Sequence, residues 1–126
     1  MTSDCIALTL GFGLLFGSFA NVLIHRLPRM IMASDVAEVH AQPYNLCWPA
    51  SHCPHCQTPL KAWHNIPVLS YCWLRGRCGF CLHSISFQYP LIEITTSAIW
   101  LGCIWFWGFS SVGFCWALVG TVLLAL

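Results

Sequence analysis

Charge is what this sequence lacks. Only 7% of its 126 residues are Asp, Glu, Lys or Arg, against roughly a quarter in an average soluble domain. That scarcity excludes a solvated disordered chain, which stays open through high charge and low hydrophobicity. It also argues against a freely soluble domain. No positive segment precedes the first apolar run, where Asp4 is the only charge. The run therefore does not read as a cleaved signal peptide. Aspartate itself is confined to Asp4 and Asp35. The net charge of +1 says nothing about partners, and no nucleic-acid partner is expected.

What the chain has instead is apolar and aromatic. Hydrophobic residues make up 58% of it, with 7 Trp and 8 Phe. The charge that exists is concentrated. Arg26, Arg29, Lys61, Arg75, Arg77 and every histidine lie between positions 25 and 90. Three regions follow: an apolar arm over 1–28, a polar loop domain over 29–90 and a second apolar arm over 91–126.

The first arm holds Ile6–Ile24, an uncharged run long enough for a membrane helix, which needs ~20 residues to cross a core of about 30 Å. The second holds Leu91–Phe109, with Glu93 near its start. After a short break at Ser110-Ser111, a third run covers Val112–Leu126. A helix over it is about 22 Å long at 1.5 Å per residue, short of a full span. It reads either as a short or tilted helix or as a chain lacking a continuation, and the second is the expectation. The arginines next to the first run place the loop in the cytoplasm by the positive-inside rule.

Within the arms, Gly13 and Gly17 fit the Gly-x-x-x-Gly spacing that lets membrane helices approach closely. Asn21 needs a hydrogen-bond partner in a dry setting and reads as a helix–helix tie. Trp100, Trp105, Trp107 and Trp116 suit the membrane interface near the short turn. Cys5, Cys103 and Cys115 read as small hydrophobes.

The loop carries Cys53-x-x-Cys56 and Cys78-x-x-Cys81, with residues 57–77 between the pairs. Each pair aims two thiolates at one point, and two pairs close a tetrahedron around Zn²⁺. Cytoplasmic thiols stay reduced, which favours metal over disulfides. Four thiolates leave no open position, so the zinc would be structural, folding a loop with little apolar core. Iron or a redox pair is the alternative filling of the same site. Pro54 stiffens the first knuckle and Gly79 relieves the second. Cys47, His52, His55 and Cys72 are competing ligands, expected not to bind. The stretch between the knuckles, punctuated by Pro67 and Gly76, predicts two short strands crossing a zinc ribbon. Asp35 and Glu38 share a helix face and read as a solvated surface. His25 and Glu93 are candidate polar groups at the inner membrane face, Glu93 favouring the helix dipole. Arg75 and Arg77 read as lipid anchors.

Several stretches then occur in one order: "GSFANVLIHRLP" (17–28), the two Cys-x-x-Cys pairs, "NIPVLSYCWLRGRC" (65–78) and "SISFQYPLIEITT" (84–96), followed by an apolar helix. Together they resemble the N-terminal part of the type IV prepilin peptidases, the bifunctional leader peptidase/N-methyltransferases of type IV pilus and type II secretion systems. The resemblance covers nearly the whole chain. It implies a bacterial inner-membrane protein with a cytoplasmic zinc domain in which Cys53, Cys56, Cys78 and Cys81 hold the metal. It further implies a prepilin or pseudopilin substrate and S-adenosylmethionine as methyl donor for the new N-terminus. The family cleaves with a pair of aspartates, as carboxylate chemistry requires. Neither Asp4 nor Asp35 lies in such a motif, so no catalytic residue is assigned here.

The expectation is therefore a mostly α membrane protein with two to three transmembrane helices and a cytoplasmic tetra-cysteine zinc-ribbon-like insert. It would be the zinc-binding N-terminal portion of such an enzyme, truncated or needing a C-terminal peptidase half. A membrane-anchored zinc module that binds a partner protein, or an iron electron carrier, are the other readings. Methyl transfer rests on the resemblance, because the sequence has no glycine-rich nucleotide loop.

Overall fold

The computed structural model describes residues 2–35, 45–46 and 50–126. It is mostly helical, and no strand occurs among the described residues. Helix α1 spans Ser3–Asp35, α2 Leu69–Trp73, α3 Gln88–Trp107 and α4 Ser111–Ala125, with a 3₁₀ turn at Ala62–Asn65 ahead of α2. Among the described residues, two helices are long and apolar enough to cross a membrane, α1 over Ser3–Met32 and α3 over Gln88–Trp107. Helix α4, at 15 residues, is shorter.

Helix α1 does not stop at the end of its apolar run. It passes through Pro28 to Asp35, although proline removes one intrahelical donor and crowds the carbonyl four residues back. Polar side chains along the bundle satisfy themselves locally. The hydroxyls of Thr9, Thr96, Ser97 and Thr121 each donate to the carbonyl four residues earlier, at 2.7, 2.7, 2.9 and 2.9 Å. This pattern lets hydroxyl side chains sit in a helix without an orphaned donor.

The bundle closes on small residues. A Cβ on Gly13 would lie 2.5 Å from Ser97 Cα, and one on Gly17 would lie 2.7 Å from Glu93 Cα. The Gly-x-x-x-Gly face of α1 thus lies directly on the α3 backbone. On helix α4, a Cβ at Gly120 would meet a side chain instead, the Ile99 Cγ2 methyl at 2.7 Å. Trp100 fills the centre. It stacks on Phe16 (4.8 Å between ring centroids) and its indole N–H donates to Thr121 Oγ1 at 3.0 Å. Only 1% of Trp100 is exposed, so it is a core residue and not part of the interfacial belt expected from its position. Trp105, Trp107 and Trp116 do lie exposed around the α3–α4 turn, where Trp107 stacks on Trp116. That turn is made by Gly108, at φ +68°, and by Ser110. The Ser110 hydroxyl accepts from Gly113 N–H and donates to Trp107 O.

Candidate metal centre and adjoining cavity

The two cysteine knuckles are built alike. In the first, Cys53 N–H donates to Thr58 O, Gln57 N–H to Cys53 O and Leu60 N–H to Ser51 O. In the second, Cys78 N–H donates to His83 O, Leu82 N–H to Cys78 O and Ile85 N–H to Gly76 O. Every bond of one knuckle has its counterpart in the other. Each is closed by one antiparallel bridge, His52–Pro59 and Arg77–Ser84. The residue after the second cysteine takes a left-handed conformation in both, Gln57 at φ 56° and Leu82 at φ 59°. The strain expected at Gly79 is therefore carried by these two positions. Gly79 instead gives close approach, since a Cβ there would meet Leu74 Cδ2 at 3.3 Å. The segment between the knuckles is not a pair of strands. It forms the 3₁₀ turn and α2, because Pro67 and Gly76 confine it to short turns, and the ribbon is reduced to the two bridges.

These turns bring four thiols together. The Sγ atoms of Cys53, Cys56, Cys78 and Cys81 all lie within 4.8 Å of one another, with Cys53 and Cys81 at 3.8 Å. Tetrahedral zinc with sulfur at about 2.3 Å spaces its ligands about 3.8 Å apart, so the donor set fits that ion. Hydrogen bonds prepare the sulfurs for the charged form. The Thr58 hydroxyl and N–H donate to Cys56 and lower its pKa to about 6. The Cys81 and Phe80 N–H groups lower that of Cys78. The His83 N–H favours the Cys81 thiolate, but burial and the three neighbouring sulfurs prevail and push it up to about 11. Without a cation, four adjacent thiolates repel, and one keeps its proton.

The competing ligands lie elsewhere. His52 Nδ1 is 3.0 Å from Ala50 O, His55 stacks on His83 at 4.4 Å, and Cys72 is exposed on α2. Cys47 and Glu38 fall outside the described residues. Arg75 and Arg77 are exposed, Arg75 at φ 51°.

Glu93 ties this domain to the bundle. It stands in the second turn of α3, so its carboxylate does not cap that helix. Its Oε2 accepts the Val68 N–H at 2.7 Å, and the Ser18 side chain hydrogen-bonds the same carboxylate. Val68 sits at φ 58°, ψ −46° with Leu69 N–H bonded to Pro67 O. This is a γ-turn of the rare, strained kind, on a β-branched residue that disfavours positive φ. Glu93 thus holds the strained entry to α2.

Beside this contact lies a cavity of about 470 Å³ between α1, α3 and both knuckles. Asn21, His25, Arg29, His64, Tyr89 and Glu93 are among its lining residues. Asn21 is the tie expected of it, since its amide donates to Tyr89 O at 3.1 Å. His25 packs against the Tyr89 ring at 5.1 Å. Both polar residues singled out from the sequence, His25 and Glu93, border this one space. Ser18, His64 and Tyr89 were missed, since nothing in their local sequence brings distant elements together.

The fold and site together define a helical membrane protein bearing a double-knuckle tetrathiol domain. Residues 12–107 match the family model described as the bacterial peptidase A24 N-terminal domain, and the chain belongs to that family. It is 41% identical to a prepilin leader peptidase/N-methyltransferase of Burkholderia pseudomallei over 90% of this chain and 42% of that protein. It is 48% identical to one of Aeromonas hydrophila over 70% of this chain and 34% of that protein, and 38% identical to one of Neisseria gonorrhoeae over 89% and 41%. The chain therefore spans less than half the length of these relatives. No solved structure matches it.

Proposed function

We propose that this chain is the membrane-anchored, zinc-binding portion of a prepilin leader peptidase/N-methyltransferase and serves its methyl-transfer step. The single observation behind this reading is the cavity shared by the membrane helices and the tetrathiol domain, beside the Glu93–Val68 contact. Zinc on Cys53, Cys56, Cys78 and Cys81 has no open coordination position. Its role is to fold the domain and fix one wall of the cavity. The substrate is a prepilin or pseudopilin of a type IV pilus or type II secretion system. S-adenosylmethionine supplies an electrophilic methyl group. The chain's residues hold the acceptor amine, exclude water and take up the proton that nitrogen loses.

The arginines support an inner-membrane orientation with the tetrathiol domain cytoplasmic. Arg26 and Arg29 stand on α1 where it leaves its apolar run, and short basic flanks favour the cytoplasmic side and anionic lipid. Cleavage is assigned to a C-terminal peptidase portion. Asp4 and Asp35 stand at opposite ends of α1, about 45 Å apart along the helix at 1.5 Å per residue.

The test is labelled methyl transfer from S-adenosylmethionine to a cleaved pilin peptide, using the chain together with a C-terminal peptidase portion from a relative. Product formation that requires the four cysteines supports the reading. No transfer from the metal-loaded, folded pair overturns the enzymatic reading in favour of a partner-binding zinc module. Iron with a reversible redox transition in the purified protein would replace both with electron transfer.

A further inference from the structure

The cavity wall carries two guanidinium groups, Arg26 and Arg29, and opposite kinds of polar group beside them. Glu93 is 7% exposed and contributes a carboxylate. Asn21 is 4% exposed, and its Oδ1 has no hydrogen-bond partner among the described residues. The same holds for His25 Nε2 and His64 Nδ1. Four residues with acceptor-capable groups, from α1, α3 and the 3₁₀ turn, thus line one space. A carboxylate as buried as Glu93, with one backbone N–H and one hydroxyl as its partners, gains from a further charged donor, and a buried amide oxygen without a donor is destabilising. A ligand that removes both deficits carries several N–H donors and a positive charge. A primary ammonium, with three donors on a compact cation, does so. Arg29 stands on the same wall and suits a carboxylate or carbonyl on the far side of the ligand.

The geometry points to this cavity as a binding site for an α-ammonium group, held by Glu93 and Asn21 with His25 and His64 beside them. The inference rests on the N-methyltransferase reading for its sources. The ammonium belongs either to the amino-acid end of the methyl donor or to the free N-terminus of the acceptor peptide. The recognition chemistry is the same for both.

Binding measured on the full chain in detergent micelles, with zinc bound, tests this without any turnover. The probes are S-adenosylhomocysteine and a short peptide beginning with Phe, each beside its N-acetylated form. The expected result is at least a tenfold loss of affinity on acetylation of one of them, and the affected probe names the source. Glu93→Gln keeps an acceptor for Val68 N–H and should remove the preference for the free amine; Asn21→Ala should weaken it. Equal binding of free and acetylated forms of both probes by the unaltered protein overturns the site, as does failure of both probes to bind. Unchanged methyl transfer by folded Glu93→Gln and Asn21→Ala also overturns it, while leaving the proposed function standing.

Discussion

Gly17 of α1 lies against Glu93 of α3 so closely that a Cβ on Gly17 would stand 2.7 Å from Glu93 Cα. The same residue that needs this bare patch of backbone also sends its carboxylate to Val68. Helix packing and the placement of the tetrathiol domain therefore meet at one point.

Replacing Gly17 by Ala forces α1 and α3 apart at that point. Overpacking of this kind costs about 1–3 kcal/mol. Gly11 has nothing within 4 Å of its hypothetical Cβ, so Gly11→Ala should be neutral or mildly stabilising through helix propensity. Thermal unfolding in detergent micelles should show a lowered midpoint for the first variant only.

Replacing Cys53 by Ser removes one corner of the thiol cluster, and zinc content measured by mass spectrometry should fall from one per chain toward none. Cys72→Ser should retain its metal, because Cys72 is exposed outside the cluster. Chelation should expose the 50–87 region to protease while the helices remain protected, since a metal held by the four thiols would supply folding free energy to this small domain.

The cluster also predicts a pH signature. Cys56, lowered to about 6, is a thiolate at neutral pH, and Cys81, raised to about 11, is not. In metal-free protein, alkylation should reach Cys56 from about pH 6 upward and Cys81 last. The signs for stability are opposite. A depressed thiol stabilises the fold above its unfolded value of 9.0, and this is lost as pH falls toward about 6. A raised thiol stabilises the fold below 9.0, and this is lost as pH rises through about 11. Metal-free melting temperatures should therefore peak near pH 9. Zinc release on acidification should follow protonation of the thiolates.

Thr121→Val leaves the Trp100 indole N–H without its acceptor inside the bundle. An unsatisfied buried donor costs about 1–3 kcal/mol, and Trp100 fluorescence should shift as α4 loosens from α3. Thr121→Ser, which keeps the hydroxyl, should restore most of the stability.

Much of the site was readable from spacing alone. Two Cys-x-x-Cys pairs specify their own turns, so the four thiols converge whatever lies between them. Gly13 and Gly17 marked a close helix contact because their spacing falls on one helix face. A short apolar segment punctuated by Pro67 and Gly76 predicts strands and short helical turns equally well, and the packed chain takes the turns. Trp100 looked interfacial from its place in the run. Its burial depends on Thr121 and Phe16, which no local pattern links to it.

The apolar arms, the basic loop and the tetrathiol cluster are legible in the chain, because hydrophobic run length, charge placement and Cys-x-x-Cys geometry are local properties. The role of Glu93 comes from packing. Its partner Val68, its backbone neighbour Gly17 and the acceptors Asn21, His25 and His64 come from separate elements. A shared cavity exists only once those elements have packed.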